Sequence, residues 1–545
     1  MSRLDIKTQN RAQTVVDNLY RDVERRIAAS PPGLCPVDMS LAFLKLCHAQ
    51  SCGKCVPCRI GLGQLSLLIE QVVDGTATME TLAIIEKTAR SIVNTADCAI
   101  GRDAARLVLD GIQGFRDDYE EHVLRHRCLG GMQNPVPCVA LCPAGVDIPG
   151  YTVLVKYGRY ADAVRLIRQD NPFPSACAYI CEHPCEARCR RNMIDDAVNI
   201  RGLKRYAVDH AGYVPHPACA EETGKTVAIV GGGPSGLSAA YYLALMGHKV
   251  TVYEKRAKLG GMLRYGIPAY RLPREILDAE IASLLSVGID AKVNVDIGDE
   301  ITFDELRSRY DALYLALGAH TDKKTGIEGE DAEGVMSAVE MLREIGDDHM
   351  PDFRGKEIVV IGGGNVAMDV CRSAVRLGAR KVSCVYRRRR EDMTALPEEV
   401  EGAVAEGVEL VTLQAPVRIE TNGQGHAVAL WTQPQIIGEM DDKGRPKPEK
   451  AKLFEKRIAA DGIVVAIGQG VETHGFEQSK ITIKRGAFVA EASGQIDNMD
   501  GVFAGGDCVT GPATVIRAIA AGKVAAANID EYLGYHHVID VGVEV

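Results

Sequence analysis

The chain has 545 residues, length for about three or four domains with ample core. Charged residues make up 25% and hydrophobic ones 46%, and the net charge of −10 argues against nucleic acid or an anionic membrane surface as partner. Met1 to Gln13 is polar and no apolar run approaches about 18 residues, so neither an export signal nor a membrane span is expected, and the expected compartment is the cytoplasm.

Fourteen of the seventeen cysteines precede Thr226. In a reducing compartment, clustered cysteines are more often metal ligands than disulfides. Asn10 to Ile27 carries a helical apolar stripe (Val15, Val16, Leu19, Val23, Ile27), and helical patterns return over Leu62–Val73, Met79–Val93 and Ala104–Phe115. Residues 1–125 are therefore expected as a helical domain. Within it stands Ser51-Cys52-Gly53-Lys54-Cys55-Val56-Pro57-Cys58-Arg59-Ile60-Gly61. This spacing lets three thiolates reach three irons of one cubane, and Cys98, in Asp97-Cys98-Ala99-Ile100-Gly101, is the candidate for the fourth. Tetrahedral zinc is the competing reading, and the tight spacing favours the cubane. Cys35 and Cys47 are expected as plain buried cysteines. The stretch resembles the iron–sulfur domain of the flavin-bearing subunit of complex I and of NAD-reducing hydrogenases. That resemblance implies a [4Fe-4S] cluster on Cys52, Cys55, Cys58 and Cys98. The flavin domain that precedes the motif in that family has no room in the 51 residues here, so a relay or docking role is expected.

Residues 126–222 are expected as a second helical, cysteine-rich domain. Cys128 is followed by Cys138-x3-Cys142-Pro143, then by Cys177, Cys181, Cys185 and Cys189 at a period of four. Pro184 inside that run predicts a broken helix or a wrapping loop. Tyr151 to Arg168 reads as one amphipathic helix. The pattern Cys142-Pro143-Ala144-Gly145-Val146-Asp147-Ile148-Pro149, then Asn171-Pro172-Phe173-Pro174, then Cys181-Glu182-His183-Pro184-Cys185-Glu186-x2-Cys189 resembles the small-subunit family of NADPH-dependent glutamate synthase. That family includes the large subunit of NADH-dependent ferredoxin:NADP oxidoreductase and the N-terminal part of dihydropyrimidine dehydrogenase, and the likeness runs from about residue 126 to the end. It implies two [4Fe-4S] clusters, with Cys138, Cys142, Cys181, Cys185 and Cys189 at ligand positions. There are departures. Cys128 lacks its pair, with Gly131 in the second place, and Lys204 stands where the family has a Glu or Gln ligand. A lysine ammonium is a poor iron ligand. Either Cys177 substitutes or one cluster is altered, leaving two or three clusters in the chain.

From Thr226 the chain reads as α/β: two Rossmann-like dinucleotide-binding domains of the two-domain flavoprotein type, behind the two helical iron–sulfur domains. Val227–Val230 is a buried-strand run, Gly231, Gly233 and Gly236 give G-x-G-x-x-G with Pro234 and Ser235 between, and a second strand ends at Glu254, with Lys255 after it. The first glycine turns the chain, the second admits a pyrophosphate, the third packs helix on strand, and the acid accepts ribose hydroxyls. Leu259 to Pro268, with Gly261 and Met262, matches the family's flavin-flanking segment, and the strand Leu313–Leu317 closes with Gly318. By the same resemblance Asp507, in Gly505-Gly506-Asp507, holds a flavin ribityl chain, and the helix from Thr514 points its N-terminus at the flavin.

A second loop, Gly362-Gly363-Gly364-Asn365-Val366-Ala367-Met368-Asp369, follows the strand Glu357–Ile361, and the next strand runs into Arg387 and Arg388. Arg387 aligns with Glu254, so a guanidinium replaces the acid and favours NADP(H) over NAD(H). A solvated arginine turn, partly neutralised by Glu391 and Asp392, is the plain alternative. The FAD-binding domain is expected over 223–345 and 470–545, the NAD(P)-binding domain over 346–469. No Cys-x-x-Cys occurs after Thr226, so electrons are expected to leave the flavin for the clusters, with no catalytic side chain because FAD takes the hydride. The expected activity is electron transfer between nicotinamide and ferredoxin or a larger oxidoreductase (a 2-oxoacid oxidoreductase, hydrogenase or synthase) in a hetero-oligomer. A glutamate synthase small subunit and a non-catalytic wiring subunit are the alternatives.

Overall fold

The computed structural model describes residues 15–16, 19, 35–126, 136–187, 189–193, 195–440, 446–476, 479 and 481–543. Cys128, Gly131 and most of the Asn10–Ile27 stripe lie outside them. The described residues divide into two units, one within Met1–Ile148 and His183–Ile200, the other within Pro149–Glu182 and Arg201–Val545.

In the first unit, α1 (Pro36–Ala49), α2 (Leu62–Val73), α3 (Met79–Thr95), α4 (Ala99–Gly114) and α5 (Arg116–Arg125) pack as a bundle. Their apolar faces meet in a core of Val37, Leu44, Leu65, Ile69, Ile85, Val108 and Ile112, each such aliphatic contributing about 1.5–3 kcal/mol on burial. Thr78 and Thr81 close a capping box on α3. α4 starts about a turn before its predicted place, because Ala99, Ile100 and Gly101 are buried as well, and Cys98 thereby becomes its N-cap residue. Between α1 and α2 the chain makes a π-helical turn, Pro57–Gly61, closed by the Leu62 N–H on the Pro57 carbonyl. Farther along, the short helices Pro137–Leu141 and Pro184–Ala187 pack on each other.

In the second unit the single helix expected over Tyr151–Arg168 is two, Ile148–Lys156 and α6 (Tyr160–Asp170). Gly158, at φ 73°, turns the chain between them. α7 (Pro174–Ile180) then stops at Cys181, before Pro184. The body of this unit is two parallel five-stranded sheets, with the helices α8 (Pro234–Leu245), α9 (Arg274–Leu285), α10 (Asn365–Arg376), α11 (Pro397–Ala405) and α12 (Val515–Tyr532) among and after their strands. The strands in chain order are β1 (Thr226–Val230), β2 (Lys249–Glu254), β3 (Asp290–Val293), β4 (Ala312–Leu315), β5 (Val335–Ser337), β6 (Glu357–Ile361), β7 (Lys381–Tyr386), β8 (Glu409–Thr412), β9 (Gly462–Val465) and β10 (Val502–Ala504). One sheet has the order β10-β4-β1-β2-β3 and the other β5-β9-β6-β7-β8. The first is completed from the far end of the chain, where β10 pairs with β4, so the second sheet is an insertion into it. β1 and β6 are continuous apolar runs because helices cover both faces. Four antiparallel strands spanning Gln414–Ala459 form a side sheet before β9. In each parallel sheet the order reverses beside β1 or β6, which opens a crevice at the strands' carboxyl ends.

Candidate functional site

β1 runs into Gly231 at φ 111°, where a Cβ would stand 2.3 Å from the Ala316 carbonyl oxygen. Gly236 lies in the first turn of α8 (Pro234–Leu245), and a Cβ there would be 2.0 Å from the Gly231 carbonyl oxygen. Gly233 instead faces open space, with only the Gly261 Cα near, 3.7 Å from its Cβ position. At the end of β2 the buried Glu254 accepts from the N–H groups of Gly232 and Arg256, both at 2.9 Å, one on each oxygen. Burial pushes its carboxyl up and those two donors pull it down. Each oxygen keeps a lone pair for a ribose hydroxyl.

Three adjoining cavities make one cleft here. The first is lined by Glu254, Lys255, Arg256 and His320, and the second by Gly231, Gly233, Ser235, Gly318, Asp507 and Thr514. The third shares Met262, Asp507 and Thr514 with the second and adds Asn365, Val366, Asp369 and Cys181. Asp507 accepts from the Ala513 N–H at 3.1 Å, and burial pushes its carboxyl up to about 6. Thr514 is the N-cap residue of α12 (Val515–Tyr532) with no side-chain capping bond, which leaves the positive end of an 18-residue helix on the cleft. Lys255 is ion-paired with Glu472. His320 escaped the sequence reading, although it follows the β4 strand by five residues. Burial drives its imidazole down to about 4, with Arg256 and Lys255 adding, so it is neutral at pH 7.

The second glycine loop copies the first. A Cβ on Gly362 would lie 2.4 Å from the Ala466 carbonyl oxygen. Asn365, opening α10 (Asn365–Arg376), accepts from the Leu396 N–H at 2.9 Å and donates to Glu182 at 3.0 Å. Asp369 in the same turn is committed to Arg271 at 2.7 Å, which narrows its expected part in holding a nucleotide to lining the cavity. The arginines after β7 separate sharply. Arg388 is 6% exposed and donates Nε to the Pro446 carbonyl at 2.7 Å, so it faces the protein and not a ligand. Arg389 is held by Asp392 through two bonds of 2.9 and 3.0 Å. Arg387 is exposed and makes no ion pair among the described residues, which leaves it available to an anion.

In the first unit Cys52, Cys55, Cys58 and Cys98 line one cavity with Lys54 and Asp97. Burial and the neighbouring thiols push Cys58 up to about 12, while backbone N–H groups hold Cys55 down. A Cβ on Gly101 would sit 2.5 Å from the Cys58 sulfur, so a glycine is what lets α4 approach it. Cys47 is buried as expected, whereas Cys35 is only half-buried and caps α1 by accepting from the Asp38 N–H. Also in this unit, Cys138 lies near enough to Cys189 to feel its charge, and Cys185 and Cys189 are buried. In the second unit, Cys177 is buried with the charges of Cys181 and Lys204 acting on it. His248, Asp530 and His537 converge within 4.8 Å, and both rings bond the Asp530 carboxylate.

The pyridine nucleotide-disulphide oxidoreductase profile matches residues 225–522, more than half of the chain. The chain belongs to that family. Ahead of this region, the iron–sulfur binding region of the NADH-ubiquinone oxidoreductase F subunit matches 38–122, and dihydropyrimidine dehydrogenase domain II, a 4Fe-4S domain, matches 114–213. The oxidoreductase is 35% identical to the NADP(+)-dependent formate dehydrogenase subunit beta of Moorella thermoacetica, over 90% of this chain and 79% of that one. It is 34% identical to the NADPH-Fe(3+) oxidoreductase subunit beta of Geobacter sulfurreducens (91% and 79%) and 35% identical to the small chain of Escherichia coli NADPH glutamate synthase (75% and 90%). Its fold is that of FprA from Mycobacterium tuberculosis, 20% identical with a TM-score of 0.50 over 57% of this chain and 85% of that one. Both resemblances drawn from the cysteine motifs are borne out. FAD, NADP and 4Fe-4S clusters are the cofactors of this oxidoreductase, and its glycine cradles and cleft fit two dinucleotides. No helix among the described residues is long and apolar enough to cross a membrane. The family's name invokes a disulfide, yet Cys371, Cys384 and Cys508, the cysteines after Thr226, are buried singly in sequence and form no Cys-x-x-Cys.

Proposed function

We propose that this oxidoreductase is the nucleotide-facing subunit of a cytoplasmic hetero-oligomer, moving electrons between NADP(H) and ferredoxin or a larger partner such as a 2-oxoacid oxidoreductase, hydrogenase or synthase. The observation that carries this is Cys181. A cysteine expected to ligate a cluster lines the same cavity as Asn365 and Val366 of the second glycine loop and Asp507 and Thr514 of the first cleft. When bound, FAD would accept one hydride, two electrons, from the nicotinamide and pass the electrons singly to the clusters. The chain's own work is placement. Glu254 fixes a ribose, Gly233 and Gly261 clear a path for the pyrophosphate, and Asp507 with the α12 N-terminus steadies the flavin's polar end. Gly362, Gly364 and Asn365 seat the nicotinamide nucleotide, and Arg387 takes its 2′-phosphate. We assign clusters to residues 1–125 and 126–222, FAD to 223–345 with 470–545, and the nucleotide to 346–469, to which the Val335–Ser337 strand adds itself.

The relatives aligned through both cysteine regions carry formate dehydrogenase and ferric-reductase names, whereas the glutamate synthase chain aligns over 75% of the residues. That supports a partner docking on the extra N-terminal domain. A glutamate synthase small subunit is the second reading, favoured by the likeness over the remaining part. Anaerobic purification decides between them. The expected outcome is a yellow-brown chain containing FAD, iron and sulfide that NADPH bleaches, co-purifying with an oxidoreductase other than a glutamate synthase large subunit, whose presence would favour the second reading. A colourless chain, or one holding zinc without sulfide, overturns the reading.

A further inference from the structure

Asp461-Gly462-Ile463-Val464-Val465-Ala466-Ile467-Gly468-Gln469 repeats, in register, Asp311-Ala312-Leu313-Tyr314-Leu315-Ala316-Leu317-Gly318-Ala319. Each aspartate accepts the N–H that opens the neighbouring strand, Thr226 for Asp311 and Glu357 for Asp461, both at 2.8 Å. Each alanine carbonyl fills the space beside the first glycine of its loop. The copies part at their last residue. Ala319 carries no polar group, and Gln469 carries a carboxamide.

Gln469 is 8% exposed, and its Nε2 is buried with no hydrogen-bond partner among the described residues. The residue lines the third cavity. Its backbone is paired with Asp322 in a short antiparallel ribbon, so the side chain is held at this spot by a fixed main chain. A buried donor left unpaired weakens a fold, and such groups are rare unless something arrives to accept from them. The cavity lies between the second glycine loop and the flavin end of the first cleft, where redox rings meet. The hydrogen-bonding edges of those rings carry carbonyl oxygens, which only accept, beside an N–H or NH2 that donates, and it is the carbonyl that a free Nε2 donor matches.

We propose that Gln469 is the donor that fixes a ring carbonyl oxygen in this cavity, either the nicotinamide carboxamide or the flavin pyrimidine carbonyl. The inference rests on the FAD and NADP(H) reading above. It is tested on the FAD-loaded protein with Gln469→Leu, which keeps the bulk and removes the donor. Stripped of both flavin and nucleotide, the Leu variant is expected to melt at the same temperature as wild type or above it, since no bond is lost there. If the acceptor is the carboxamide, NADP+ binds roughly tenfold more weakly while adenosine 2′,5′-bisphosphate, which lacks the nicotinamide, binds unchanged. If it is the flavin, FAD dissociates faster and its absorption shifts, with both nucleotide affinities unchanged. Gln469→Glu, which substitutes an acceptor, is expected to exceed the Leu variant in whichever arm responds. Equal weakening of both nucleotides, or no change in either arm, overturns the proposal. A wild type that retains no FAD and is not reduced by NADPH refutes the function instead, and so the two failures are told apart.

Discussion

Arg271 Nη1 lies 2.7 Å from Asp369 and its Nη2 lies 2.8 Å from Glu399, so one guanidinium spans two acids. Asp369 is in the first turns of α10, and Glu399 is in the helix Pro397–Ala405. Arg271 lies three residues past the flavin-flanking segment, so the bridge ties the first glycine-loop domain to the second. Tyr270 reinforces it, with Arg376 3.8 Å and Arg372 4.9 Å from its ring centre. Arg271→Ala leaves the buried Asp369 without its cation while Glu399 keeps Arg372 at 2.6 Å, and a loss of about 3 kcal/mol is expected in denaturant unfolding.

Asp369→Asn behaves differently, and pH shows it. Burial pushes Asp369 up to about 6, with Glu399 adding and Arg271 opposing. Its folded value therefore exceeds the unfolded one, so ionisation costs stability. That cost is full above pH 6 and is gone below about pH 4. Asn removes it while Arg271 keeps Glu399. The variant is expected to melt above wild type at pH 7.5, with the gap closing toward pH 4. A gap that widens on acidification contradicts this.

Much of this architecture was legible in the sequence because it rests on local rules. The glycine loops and the breaking proline at Pro184 each act within a few residues, and the acid at Glu254 follows from the fixed length of one strand–helix–strand unit. What sequence could not supply was long-range. Nothing local says that Arg388 turns inward to the Pro446 carbonyl while Arg387 does not, or that Asp369 is taken by Arg271 98 positions away. Gln469 was hidden for the same reason, since a glutamine after a strand is unremarkable until its cavity is known. Even the Tyr151–Arg168 helix failed on one glycine, Gly158, whose positive φ the apolar stripe does not encode.

Cys55→Ala separates the two halves of the proposed relay. Its sulfur lines the four-cysteine cavity of the helical domain, remote in sequence from the dinucleotide cleft. Loss of one ligand is expected to remove about four irons per chain. Bleaching of the flavin by NADPH should stay at the wild-type rate, and reduction of an added acceptor such as ferredoxin should fall steeply. Equal loss of both rates counts against a relay.

Arg387→Glu tests the nucleotide preference. An exposed guanidinium that makes no ion pair among the described residues is replaced by a like charge facing a 2′-phosphate. KM for NADPH is expected to rise roughly ten- to a hundredfold, and KM for NADH by less than about threefold. Arg388→Glu should lower the melting temperature instead, because it strands the Pro446 carbonyl and buries an unpaired charge. An unaltered preference in the Arg387 variant would refute the assignment to NADP(H).

The glycines of the first loop separate packing from ligand binding. A methyl on Gly236 would stand 2.0 Å from the Gly231 carbonyl oxygen, and backbone has to move to admit it. A loss of about 1–3 kcal/mol is expected, of the size found for overpacked cores. A methyl on Gly233 meets only the Gly261 Cα, at 3.7 Å, an ordinary contact. Gly233→Ala is therefore expected to leave the flavin-free protein as stable as wild type, while the methyl occupies the path of the pyrophosphate and FAD is lost. Flavin-to-protein ratios and melting curves of both variants check this. If Gly233→Ala retains FAD at full stoichiometry, the cleft lined by Gly231, Gly233 and Ser235 is not where the pyrophosphate lies.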